Sequence, residues 1–398
     1  MIQLPQFKRD IELQIKDRLA ENAKFIQVVI GPRQVGKTTA VRQALADLGL
    51  PSHYSVADLP APPEPAWIEA QWKQSRNMAE KHGSVILVLD EVQKVERWSE
   101  VVKKLWDEDR AEGRDIRVAV LGSSALLLHR GLFESLAGRF ELLRCGHWTF
   151  KECRDCFKWN LDTFLYFGGY PGAAPLISGQ ERWAEYVRNS LIETAISKDV
   201  LLMNRIEKPA LLRKVFVLAC EYAAEILTYQ KMLGQLADAG NTTTLAGYGQ
   251  LLMSAYLIAV LEKYSEKKIK RRASSPKWLP LNTALITAMS QKKFEELRGD
   301  PEMWGRLVDA AVGAYLFQEC DKRGWGLFYW REGNQEVDYV LRKGEDLIAL
   351  EVKSGRKKPR ASDLGAFSEK FEPIKSLVIG TSGISLEEFF TQDLSALL

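Results

Sequence analysis

Two spacings of apolar residues alternate along the first 150 positions. Ile11, Ile15 and Leu19 recur at helical spacing within residues 8–22, and the run Phe25–Ile30 has the length and content of a buried strand. A glycine-bearing turn, Gly31–Gly36, follows, and the pattern then predicts a helix from Lys37 to about Leu48. After the proline-rich loop Leu59–Ala66 come a helix (Trp67–Lys81), an unbroken apolar strand (Val85–Leu89), a helix around Trp98–Arg110 and a strand (Arg117–Leu121). Strands with no polar face, alternating with helices, are those of a parallel α/β sheet covered on both sides.

That pattern stops near residue 150. Residues 160–290 read as almost wholly helical, with a Gly/Thr-rich break at Ala239–Gly249. From 300 onward a helix (Trp304–Arg323) precedes strands at Leu327–Arg331, Glu336–Arg342 and Leu347–Val352. A helix near Asp363–Phe371 and a strand at Ser376–Ile379 complete a second, smaller α/β unit.

Composition narrows the class. Among 398 residues, 46% are hydrophobic and 27% charged, the balance of a globular chain divided into several domains. The apolar runs are too short or too interrupted to span a bilayer, so no membrane role is expected. The N-terminal stretch lacks the apolar core of a secretory signal, and five cysteines is an odd count for a disulfide framework. A reducing cytoplasm is the compartment expected. The net charge of +3 says little, but Lys263–Arg272 and Arg356–Arg360 are local basic blocks.

The strongest chemical signal is Gly31-Pro32-Arg33-Gln34-Val35-Gly36-Lys37-Thr38, a full Gly-x-x-x-x-Gly-Lys-[Ser/Thr] run between a predicted strand and a predicted helix, with Thr39 following. Its glycines let backbone amides turn toward phosphate oxygens, and the helix N-terminus favours an anion. Lys37 is expected to reach the β- and γ-phosphates of ATP, and Thr38 to hold Mg²⁺. The apolar strand 85–89 runs into Asp90-Glu91; Asp90 is assigned to Mg²⁺ and Glu91 to general-base activation of water. Ser123, after the next strand, could sense the γ-phosphate or simply cap a helix. Arg139 is the candidate arginine finger, supplied by a neighbouring subunit, with Arg130 its competitor.

With these residues in view, the chain resembles a bacterial and archaeal family of AAA+-type ATPases that carry a C-terminal domain of long-unknown function. The resemblance rests on GPRQVGKTT (31–39), LVLDEVQK (87–94), LGSSA (121–125), SLAGR (135–139), WTFKE (148–152) and GGYPGA (168–173). It implies an α/β protein with a P-loop AAA+ ATPase core (1–155), a helical lid (156–205), a winged-helix segment (206–295) and a small restriction-endonuclease-like α/β domain (296–398). It also implies a homo-oligomer, a hexameric ring being one form this could take.

In the middle segment, Thr228–Ala237 and Thr242–Leu252 resemble the two helices of a helix-turn-helix, although Thr243–Gln250 offers few side chains suited to base edges. The basic run Lys267–Arg272 could bind phosphates without reading sequence, so DNA recognised by structure is the expected partner. The alternative is a packing domain with no nucleic-acid contact. In Pro276–Asn282 an asparagine stands where relatives tend to be acidic.

In the tail, Asp338 on one strand and Glu351-Val352-Lys353 on the next form the Asp…Glu-x-Lys set of restriction-endonuclease-like nucleases. Asp338, Glu351 and, from the preceding helix, Glu319 would bind Mg²⁺, with Lys353 orienting water. Glu336 is set aside as facing the other side of its strand. Cys145, His147, Cys153 and Cys156 have spacing that fits zinc poorly, and buried thiols are preferred. The expected function is ATP hydrolysis coupled to binding or remodelling DNA, with branched intermediates as candidate substrates. An ATP-regulated nuclease and a nucleotide switch acting on a protein partner are the alternatives.

Overall fold

Five residues in a row, Ile26–Ile30, are buried on both faces, and this strand, β1, lies inside a sheet. The computed structural model describes residues 4–122, 135–201, 206–236, 240–266, 274–354 and 361–397. Contacts divide the chain into two units, 1–146 and 147–398.

In the first unit, β1, β2 (Ser52–Val56), β3 (Ser84–Asp90), β4 (Asp115–Gly122) and β5 (Phe140–Arg144) form one sheet in the order β2-β3-β4-β1-β5. Every pairing is parallel. All strands therefore end on the same edge, and the residues after β1 and β3 meet there. Helices α1 (Asp10–Ala20), α2 (Lys37–Leu48), α3 (Pro65–His82) and α4 (Trp98–Ala111) accompany the sheet. Trp72 of α3 is fully buried and its indole N–H donates to Asp109 of α4 (2.6 Å), which also pairs with Arg76 and Arg114. An indole held against a buried carboxylate fixes the two helices side by side.

The second unit begins with a helix, Phe150–Phe157, started by a reciprocal cap between Thr149 and Glu152. This helix lies beyond the first unit. Short helices at Leu161–Phe167 and Gln180–Tyr186 follow, the latter running into wider π-helical turns at Val187–Ile192. Further on come helices at Pro209–Glu221, Tyr229–Gln235 and Thr242–Ser254. A three-stranded antiparallel sheet, in the order β6 (Glu225–Ile226), β8 (Lys277–Pro280), β7 (Ile258–Leu261), interrupts what the sequence presents as a helical stretch.

The tail pairs a helix of 23 residues, Pro301–Arg323, with a four-stranded sheet. Strands β9 (Gly326–Glu332), β10 (Gln335–Lys343) and β11 (Asp346–Lys353) are antiparallel, and β12 (Lys375–Gly380) joins β11 in parallel. One face of this sheet buries Tyr339, Leu341, Ile348 and Leu350 in a core shared with the long helix and the middle helices. The other buries Val337, Val340, Ala349 and Phe367. The segments expected as lid, winged helix and tail thus share one continuous hydrophobic core. Among the described residues, no helix is long and apolar enough to cross a membrane.

Candidate nucleotide site and tail carboxylates

The turn after β1 is shaped by its backbone. Gly36 (φ 93°) and Gln34 (φ 58°) are both left-handed, a conformation that turns successive amides toward one concavity. Gly31 is required for another reason: a Cβ there would lie 1.9 Å from the carbonyl oxygen of Cys145, beyond the end of β5. Arg9 braces the same place, donating to the carbonyls of Val35 (3.0 Å) and Gly146 (3.2 Å) and to the Cys145 sulfur (3.2 Å). Val35 and Pro32 are buried, whereas Arg33, Thr38 and Thr39 are half-buried.

Lys37 is buried, and its ammonium donates to the loop's own carbonyls, Gly31 (2.9 Å) and Pro32 (2.6 Å). Across the sheet edge, the Thr38 hydroxyl donates to Asp90 Oδ2 at 2.9 Å. The same oxygen accepts from the Tyr54 hydroxyl at 2.5 Å, and the Arg42 guanidinium lies 4.8 Å from the Tyr54 ring centre. Tyr54 sits on β2, a strand the apolar pattern did not reveal, and nothing in the motifs points to it. Thr38 and Asp90 together supply a hydroxyl and a carboxylate, the hard oxygen donors that suit Mg²⁺.

Glu91 follows β3 with a left-handed backbone (φ 55°), and its Oε2 accepts from the Gln93 amide at 2.8 Å. Burial pushes its carboxyl above the ordinary glutamate range, with Asp90 adding to the rise while Arg33 and Lys37 oppose it. A base with a raised pKa accepts a proton more readily near neutrality. Arg139 stands at the opposite end of the sheet: its carbonyl accepts from Ile26 at the start of β1, and its guanidinium grips Asp107 of α4 through two bonds of 2.7 and 3.0 Å. It therefore cannot serve the nucleotide of its own subunit. Ser123 and Arg130 lie outside the described residues, as do the basic stretches 267–272 and 356–360.

Residues 23–154 match the AAA domain family. The first unit is an AAA-type ATPase domain. Residues 158–296 match a domain of unknown function, DUF8612, and residues 304–391 another, DUF4143. An uncharacterized protein of Haemophilus influenzae is 20% identical over 351 residues, 83% of each chain. A Methanocaldococcus jannaschii protein is 23% identical over 289 residues, 67% of this chain and 60% of its own. Among solved structures, the Thermotoga maritima RuvB Holliday junction branch migration motor is 13% identical, covering 62% of this chain and 88% of its own at a TM-score of 0.31. Replication initiator DnaA bound to AMPPCP and single-stranded DNA is 17% identical at the same TM-score, with 62% and 90% covered. The family match and the sheet order carry the ATPase assignment. The tail's match names no activity.

The tail brings together Asp338, Glu351 and Lys353 but not Glu319. Asp338 Oδ2 accepts from the Val352 amide at 2.8 Å, and the Lys353 ammonium is bonded to Glu351 Oε1. Glu319 is instead tied to Lys322 (2.7 Å) and to Arg323, which also reaches Asp393. From the same helix, Asp309 is the residue that joins the cluster. It is three turns nearer the helix N-terminus, where the helix crosses β10: the Tyr339 hydroxyl donates to its carbonyl (2.9 Å). The exclusion of Glu336 is also corrected. The β9–β10 register shifts between Val337 and Val340, which fall in the same apolar cluster although three positions apart. Glu336 and Asp338 are two positions apart and so share a strand face by simple alternation, and Glu336 acts electrostatically on both Lys277 and Asp309. Lys277, at the start of β8, is fully buried beneath these carboxylates.

The asparagine of Pro276–Asn282 has a structural role. Its Oδ1 accepts from the amides of Gly169 (3.2 Å) and Ala284 (3.1 Å), and its amide group faces His147 Nδ1 at 3.1 Å. A Cβ on Gly168 (φ 66°) would lie 2.0 Å from that Oδ1, and one on Gly169 would lie 2.2 Å from the Trp148 carbonyl oxygen, which explains the glycine pair of GGYPGA.

Proposed function

We propose that the protein is a homo-oligomeric Mg·ATP-dependent ATPase whose turnover drives engagement of DNA through the second unit. The observation that carries the ATPase chemistry is the meeting of Thr38, Asp90 and Glu91 at one sheet edge beside the phosphate loop. In this reading Lys37 exchanges the carbonyls of Gly31 and Pro32 for β- and γ-phosphate oxygens, and amides of the loop bind the rest. Bound Mg²⁺, held by Thr38 and Asp90, would neutralise charge on the phosphates. Glu91 leaves Gln93, takes a proton from water, and the water oxygen bonds to the γ-phosphorus as the bond to the bridging oxygen breaks, releasing ADP. Arg139 of a neighbouring subunit, freed from Asp107, would stabilise the transferred group.

The DNA part rests on the helices Tyr229–Gln235 and Thr242–Ser254 beside the β6-β8-β7 sheet, an arrangement that suits a winged helix, with the basic run 267–272 in the β7–β8 connection. The outward residues of the second helix, Thr243, Gly247 and Gln250, carry no charge, which favours phosphate contacts over base reading. The test is steady-state ATPase rate with single-stranded, duplex and four-way-junction DNA. Stimulation by DNA, abolished in Glu91→Gln, is expected. Binding to every DNA form no tighter than that of an unrelated protein at physiological salt would remove the DNA role. The Gln93 tether on Glu91 favours a second reading, a nucleotide switch for a protein partner, and DNA-stimulated turnover argues against it.

A further inference from the structure

The carboxylates of the tail were expected to hold Mg²⁺, with DNA cleavage as an alternative function, and their surroundings do not suit a metal. Lys277 enters from β8, a strand of the small middle sheet, with none of its surface exposed. Its ammonium lies 3.6 Å from Asp309 Oδ2 and 3.8 Å from Asp338 Oδ1, donates to the Asp338 carbonyl at 3.3 Å, and sits 4.6 Å from the centre of the Tyr339 ring. We propose that this ammonium is the resident cation of the carboxylate pocket, so that the tail binds no catalytic metal and does not cut DNA.

The ligand count supports this. A hard divalent cation needs several converging oxygens. Asp338 has given one oxygen to the Val352 amide and turned the other toward Lys277, while Glu351 has given one to Lys353. Among the described residues, no group of three acidic, histidine or cysteine side chains is placed to hold a metal ion. Asp309 Oδ1 and Glu351 Oε2 remain, buried and without a hydrogen-bond partner. Both belong to carboxyl groups whose other oxygen already faces an ammonium, Lys277 for Asp309 and Lys353 for Glu351. The lysine is thus charged where a metal would sit. Because it comes from β8, it also clamps the middle sheet to the tail sheet.

Mn²⁺ titration of the nucleotide-free full chain, followed by the electron paramagnetic resonance of free Mn²⁺, tests this in wild type, Asp338→Asn, Glu351→Gln and Lys277→Met. The expected result is equal Mn²⁺ uptake by wild type and the two carboxylate variants. Lys277→Met should bind one further ion, lost again in Lys277→Met with Asp338→Asn. One Mn²⁺ in wild type that disappears in either Asp338→Asn or Glu351→Gln would overturn the proposal, as would Mn²⁺-dependent DNA cleavage lost with either. Should Lys277→Met fail to fold by circular dichroism, wild type against Glu351→Gln still decides. The ATPase reading is tested separately by Glu91→Gln, whose readout is ATP turnover and not this titration.

Discussion

Two strand ends in this chain present acidic residues beside a lysine, and the two lysines are held in different ways. At the nucleotide site, Lys37 is held by two backbone carbonyls of a loop whose amides already face inward. Carbonyl partners are neutral, and an incoming triphosphate replaces them with charged ones at a net gain. In the tail, Lys277 is enclosed by Asp309 and Asp338 and comes from a separate strand. Nothing neutral can take over those partners, and withdrawing the lysine would leave buried carboxylates uncompensated. One site is arranged to exchange a partner; the other is closed around one.

The largest expected effect concerns the open site. Arg139→Ala and Glu91→Gln should each lower ATPase turnover by on the order of 10³-fold, while leaving nucleotide affinity nearly unchanged. Mixed together, the two variants should regain part of the wild-type rate, because an intact arginine then faces an intact base at some interfaces. A mixture as inactive as its parts would place Arg139 outside the neighbour's site.

For the closed site the readout is stability. Lys277→Met should destabilise the second unit by ~3 kcal/mol, the order expected when one partner of a buried ion pair is removed. Urea unfolding followed by tryptophan fluorescence measures this. A shift within experimental error would show that the pocket does not depend on its lysine.

Tyr54→Phe removes one hydrogen bond to the Asp90 carboxylate, worth about 1.5 kcal/mol for a charged acceptor. A roughly tenfold rise in the Mg²⁺ concentration needed for half-maximal turnover is expected, with the fold unchanged. An unaltered Mg²⁺ dependence would reduce Tyr54 to a packing residue.

The smallest effects depend on pH, and they run in opposite directions at the two sites. Glu91 must be ionised to accept a proton, and its pKa is raised, so kcat should fall on acidification at a pH above that of an ordinary glutamate. In the tail, Asp309 and Glu351 are raised to about 7. The folded chain therefore retains protons that the unfolded chain releases near pH ~4. Stability from these groups is full below that point and is lost as pH rises toward 7. Urea midpoints should decline across this window, and Asp338→Asn should flatten the decline by removing a charge that raises both.

Central strands were legible because burial on both faces leaves an unbroken apolar run, as in β1 and β3. The edge strands β2, with Ser52–Val56 half-exposed, and β5 carry no such run, and the middle strands β7 and β8 are only four residues each. Tyr54 was invisible for the same reason: its strand did not announce itself. In the tail, the hairpin positions of Asp338 and Glu351 were readable, and so was the face that Glu336 shares with Asp338, while the bulge between Val337 and Val340 leaves no mark in residue type. The choice between Glu319 and Asp309 depended on where one long helix crosses a strand.

The amino-acid sequence alone determined the phosphate loop, the Asp90-Glu91 strand end and the alternation of an α/β sheet, because each arises from neighbours along the chain. The tertiary structure decided which cation sits among the tail's acids. Lys277 and Asp338 are 61 positions apart, and only the packing of one sheet against another brings an ammonium to those carboxylates.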